Sequence, residues 1–110
     1  MTVIVGSKNF NVTAAIRQFI EEHAGKLFKV HHKISKVRVH LESVERKQND
    51  PTANQATIEV EVPGKDVVVT KRAVDMYTAI GQAIKIALRD LRKKGERLET
   101  LRLKGRRREE

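Results

Sequence analysis

The chain has 110 residues, enough for one small domain, and with 39% hydrophobic but only 4% aromatic residues and no Trp its core has to be aliphatic. There is no cysteine, which excludes disulfides and thiolate metal sites and is compatible with a reducing compartment. The net charge of +9 points to a polyanionic partner, nucleic acid above all, and no segment approaches the roughly 18 apolar residues of a membrane span.

Met1–Phe10 has no apolar run behind a charged start, so no signal peptide and a cytoplasmic location are expected. Thr2–Val5 is short, apolar and β-branched, which predicts a first strand ended by Gly6. Thr13, with Asn11 as its rival, can cap a helix by accepting from a free first-turn amide. Val12, Ile16, Phe19, Ile20, Ala24 and Leu27 then recur at three- and four-residue spacing. They predict an amphipathic helix that ends near Phe28 or Val30, with Gly25 as the place where it would fray.

Ile34–Val44 alternates, with Val37, Val39 and Leu41 on one side and Lys36, Arg38, His40 and Glu42 on the other, as in a strand with one wet face. Arg46–Gln55 reads as a long polar loop. Ala56, Ile58, Val60 and Val62 alternate with Thr57, Glu59 and Glu61 to give a third strand. Pro63-Gly64 suits the centre of a tight turn, and Asp66–Arg72 is a fourth strand with Val67 and Val69 inward.

Asp75 is placed to cap a second helix, whose apolar stripe takes in Tyr77, Ile80, Ile84, Ala87, Leu88 and Leu91. The pattern can run on through Leu98 and Leu101, although Gly95 weakens it. The expected fold is α+β, in the order β-α-β-β-β-α. It has a four-stranded mixed sheet with both helices packed on one face, a two-layer arrangement like that of double-stranded-RNA-binding modules. Residues 1–98 are expected to form the domain and 99–110 a charged, flexible C-terminal tail.

The chemistry points to the second helix. Lys85, Arg89, Lys93 and Arg97 stand four residues apart, forming one slowly drifting row beside the apolar stripe, with Arg92 and Lys94 as neighbours. From Lys85 to Lys94 there are five cations and one acid, Asp90. Like charges at this spacing repel by a few tenths of a kcal/mol. Stability therefore does not select the row, whereas a phosphate backbone would, through counterion release. The competing explanation is a solvated face whose cations complement the helix C-terminus.

On the first-helix side, His23, Lys26 and Lys33 add to the basic surface. His23 borders the apolar face, a position that packing alone explains. His31, His32 and His40 lack metal-ligand spacing and carboxylate company, so no metal is expected. Glu59 and Glu61 can pair across the sheet with Arg38 or Lys36. No nucleophile elbow, P-loop or dinucleotide glycine pattern occurs, so neither an enzyme nor a cofactor is expected. The few aromatics do not suggest base stacking, which leaves recognition to backbone and shape.

Val12-Thr13-x-Ala15-Ile16-Arg17, Lys26-Leu27 and Asp75-Met76-Tyr77-x-Ala79-Ile80, set in this element order, resemble the ribosome hibernation-promoting and ribosome-associated inhibitor proteins over about residues 2–98. The resemblance implies a monomeric factor that lies in the tRNA and mRNA channel of the small ribosomal subunit. There it would contact 16S ribosomal RNA and stop translation in stationary phase or stress, with no small-molecule substrate. By position it implies RNA contacts from His23, Lys26 and Lys33, and from Lys85, Arg89, Arg92, Lys93, Lys94 and Arg97, with Asp75 and Tyr77 structural.

Four departures from the family pattern stand out: a long 46–55 loop, Lys71 at an inward position, and Gly81 and Lys85 where acids are frequent. The chain is expected to be a short form, without the dimerisation domain of the long forms. A general double-stranded-RNA binder and a protein-interaction domain that uses the wet sheet face are the alternatives.

Overall fold

Alternation along the central strands dictates the architecture. The computed structural model describes residues 2–31, 33–43 and 53–108, the stretch 94–108 by its backbone alone. The elements are β1 (Val3–Lys8), α1 (Ala14–Val30), β2 (Lys36–Ser43), β3 (Asn54–Glu61), β4 (Val67–Ala73) and α2 (Met76–Arg108). The strands form one sheet in the order β1-β2-β3-β4. β1 pairs in parallel with β2, and β2–β3 and β3–β4 are antiparallel. This is the expected α+β fold.

Val37, Val39 and Leu41 on β2 and Ala56, Ile58 and Val60 on β3 are buried, together with Val67, Val69 and Ala73 on β4. α1 adds Ile16, Ile20, Ala24 and Leu27, and α2 adds Met76, Ala79, Ile80, Ala83, Ile84, Ala87 and Leu91. Burying one large aliphatic side chain of this set contributes about 1.5–3 kcal/mol. The single core lies between the sheet and the helix layer. β1 and β4 run in the same direction, and each is followed by a helix that returns across the same face, so α1 and α2 lie in contact and run parallel.

Local chemistry sets the boundaries. Thr13, in extended conformation, accepts from the Ile16 amide at 3.2 Å, which settles the cap of α1 in its favour over Asn11. α1 continues through Gly25 without a break. At its far end the His31 amide donates to the Leu27 carbonyl at 3.2 Å, and buried His31 accepts the Lys33 amide through Nδ1 at 3.2 Å. Gly64 takes φ 89°, a value that glycine adopts without a Cβ penalty, in the turn after Pro63.

Several boundaries differ from those read in the sequence. β1 does not stop at Gly6, because parallel pairing carries it on through Gly6↔His40 to Lys8↔Glu42. The chain turns instead at Asn9, with φ 54°. Asn54 and Gln55 belong to β3, paired with Ala73 and Arg72, rather than to the preceding loop, whose residues 44–52 lie outside those described. Asp66 precedes β4, and its carboxylate accepts the Val62 amide at 3.4 Å. Lys71 lies within β4, its half-buried side chain opposite small Ala56, and the strand reaches Ala73, one residue beyond Arg72. The α2 backbone passes through Gly95, because one glycine costs about 1 kcal/mol among strong helix formers.

Candidate nucleic-acid interface

α2 is fixed at its start by Asp75. One carboxylate oxygen accepts the Thr78 amide at 2.8 Å and the other accepts the Thr78 hydroxyl at 2.7 Å. The Thr78 hydroxyl, with the Thr78 and Tyr77 amides behind it, holds this carboxyl below the ordinary value of 3.8. A charged cap here also complements the positive end of the helix.

With one side of α2 committed to the core, the other side is presented outward. Lys85, Arg89, Arg92 and Lys93 are all exposed. Together with half-buried Ile86 and Leu88 they line an open groove of about 540 Å³, an aliphatic floor rimmed by cations. One acid tempers the row: Asp90 lies 3.8 Å from Arg89 Nε, an exposed pair of the kind worth about 0–1 kcal/mol. The backbone of α2 carries Lys94 and Arg97 in the same helix, and their side chains lie outside those described.

On α1, Lys26 is exposed, and Lys33 is exposed just past the helix end. His23 is half-buried, with its ring 4.1 Å from that of Phe19. Its Nδ1 is buried without a hydrogen-bond partner. Phe19 also meets Tyr77 of α2 edge-on, at 5.1 Å and 82°. Of the sequence-predicted residues, Lys26 stands on α1 and Lys33 just past its end, outside the groove on α2. Lys85, Arg89, Arg92 and Lys93 share a groove, and His23 joins α2 through aromatic packing.

Tyr77 differs from its assignment to the buried stripe, since it is 43% exposed. It sits at the rim of the stripe, turned toward α1, and its four-residue spacing to Gly81 and Lys85 is the signal that could have placed it there.

The opposite face of the sheet is occupied by ion pairs. Arg38 lies 3.9 Å from Glu59 and 3.7 Å from Glu61, and Lys36 lies 3.8 Å from Glu61, as the cross-strand register requires. Glu59, Glu61 and Asp66 can bring carboxylate oxygens within 4.8 Å of one another, but the two glutamates already serve these cations. A smaller hollow of about 220 Å³ on this face is lined by Ile4, Gly6, Arg38, Val39, His40, Thr57 and Glu59. Among the described residues, no helix is long and apolar enough to cross a membrane.

Comparison with known proteins bears on the family and the fold. A family model described as sigma 54 modulation protein / S30EA ribosomal protein matches residues 3–99. The ribosome hibernation promotion factor of Deinococcus radiodurans is 30% identical over 102 residues, 93% of this chain and 53% of that protein. The chain thus spans about half the length of this relative.

Among solved structures, the N-terminal domain of Protein Y from Thermus thermophilus superposes with a TM-score of 0.72 at 24% identity, covering 84% of this chain and 98% of that one. A ribosomal subunit interface protein from Coxiella burnetii gives 0.71 at 16% identity, covering 87% and 99%. At these identities the two structures establish the fold.

Proposed function

The chain belongs to the sigma 54 modulation / S30EA ribosomal protein family, and from that membership we propose that it is a ribosome hibernation factor of the cytoplasm, acting as a monomer. In this reading it enters the small ribosomal subunit, lies in the channel where A- and P-site ligands would sit, and grips 16S ribosomal RNA. It silences translation under stress or in stationary phase. The mechanism is occupancy, with no bond made or broken.

The observation that carries the reading is the exposed cationic row on α2. Lys85, Arg89, Arg92 and Lys93 stand out from a helix whose other side is locked into the core. Four mutually repelling cations at this spacing cost stability unless phosphates answer them. Lys94 and Arg97 extend the row along the sequence, and His23 and Lys26 on α1, with Lys33 just past its end, add further basic groups. Residues 1–98 form the ribosome-binding unit, and 99–110 serve as a charged adjunct to it.

The test is a double reversal, Arg89→Glu with Lys93→Glu. Both positions are exposed, so the fold should survive, as circular dichroism would report. Co-sedimentation with small ribosomal subunits should vanish. Retained sedimentation by a folded double variant overturns the assignment of this face.

A further inference from the structure

We propose that the aromatic notch between α1 and α2, built by Phe19, His23 and Tyr77, receives one unpaired nucleobase of the RNA. This rests on the RNA-binding reading above and extends it from phosphate contacts to a base contact. Three observations converge on the notch.

First, Tyr77 keeps 43% of its surface exposed in a chain with one Tyr, three Phe and no Trp. Phe19 holds the ring at 82° and 5.1 Å, so it is oriented rather than free. An oriented, partly exposed aromatic ring is what a base stacks on, with little further loss of side-chain freedom.

Second, there is room. One turn on from Tyr77 along the same side of α2 stands Gly81, and a Cβ placed there would meet nothing within 4 Å. One turn on from Phe19 along α1 stands His23, whose buried Nδ1 has no partner. Gly81 therefore leaves the α2 side of the Phe19–Tyr77 pair uncovered, while His23, its ring 4.1 Å from that of Phe19, backs the pair on the α1 side.

Third, the rim is cationic. Exposed Lys26 lies three residues beyond His23, and exposed Lys85 lies four residues beyond Gly81. A base stacked on Tyr77 would bring its own phosphates toward these ammonium groups. A stacking platform beside a basic groove is the general arrangement for unpaired nucleic acid.

The sequence makes the test direct. Tyr77 is the one tyrosine and there is no tryptophan, so intrinsic emission reports on this ring. The full chain is titrated at low salt with a dye-labelled single-stranded oligoadenylate, following dye anisotropy and tyrosine emission together. Inorganic polyphosphate, which carries charge without bases, is the parallel ligand.

Both ligands should bind, and only the oligoadenylate should quench Tyr77. Tyr77→Leu should weaken oligoadenylate binding on the order of tenfold and leave polyphosphate binding unchanged, while Tyr77→Phe keeps most of the affinity. Oligoadenylate binding without quenching, or equal quenching by both ligands, overturns the proposal. So does a complete lack of oligoadenylate binding. If Tyr77→Leu fails to fold, the quenching comparison on the unaltered chain still decides. No ribosome takes part, so a failure here is distinct from a failure to sediment with small subunits.

Discussion

If the α2 row meets phosphates, the salt dependence of RNA binding should record it. Each phosphate contact released with its counterions contributes about 0.7–0.9 to the slope of log affinity against log salt. Arg89→Gln with Lys93→Gln removes two exposed cations from the groove, so the slope should fall by roughly 1.4–1.8. Extrapolated from a common value near 1 M salt, that slope change means roughly a 40-fold loss of affinity at 0.1 M and roughly 7-fold at 0.3 M. Asp90 restrains Arg89 only as a surface pair, so it should blunt the effect without cancelling it. The assay is fluorescence anisotropy of a labelled fragment of 16S ribosomal RNA across a salt series, with Arg38→Gln as control. Arg38 sits on the opposite face of the sheet and is engaged with Glu59 and Glu61. A weakening by Arg89→Gln/Lys93→Gln that does not vary with salt would refute the phosphate assignment, as would an equal slope change in the control.

Other consequences concern the scaffold. Ile80 is fully buried between helix and sheet, so Ile80→Ala should destabilise the fold by about 2–5 kcal/mol in urea unfolding, through lost burial and the cavity left behind. Gly81→Ala should add about 0.5–1 kcal/mol in the same assay, because the helix gains a residue of better propensity and the added Cβ meets nothing within 4 Å. The folded-state pKa of Asp75 is depressed, so its contribution is complete above its ordinary value of 3.8 and is lost as pH falls through the lower folded value. Asp75→Asn, which keeps a capping oxygen but does not titrate, should therefore close its stability gap to the unaltered chain during acid unfolding below that pH. A constant gap across the acid range would contradict the assignment.

The fold was legible because its governing signal is strict alternation. Val37-x-Val39-x-Leu41 and Ala56-x-Ile58-x-Val60 fix which face is buried, and the register then follows by pairing like with like. Strand ends were less legible. Gly6 stops a strand by propensity but not when a parallel neighbour supplies partners beyond it, and that neighbour lies more than thirty residues away. The cation row could be read because four-residue spacing is a local property of one helix. The aromatic notch could not. Phe19 and Tyr77 come together only when α1 and α2 pack as parallel neighbours, and the exposure of Tyr77 depends on that packing. Tyr77 sits at the border of the stripe, where periodicity does not separate a core residue from a rim residue.

The central claim is that this helix layer is shaped for the small ribosomal subunit rather than for RNA in general. The direct measurement is sucrose-gradient sedimentation of the protein with separated small and large subunits, in the presence of excess naked duplex RNA. Migration with the small subunit alone, undiminished by the duplex, is the predicted result. Equal partition between the subunits, or release by the duplex, would contradict the account and assign the cationic face to unspecialised RNA binding.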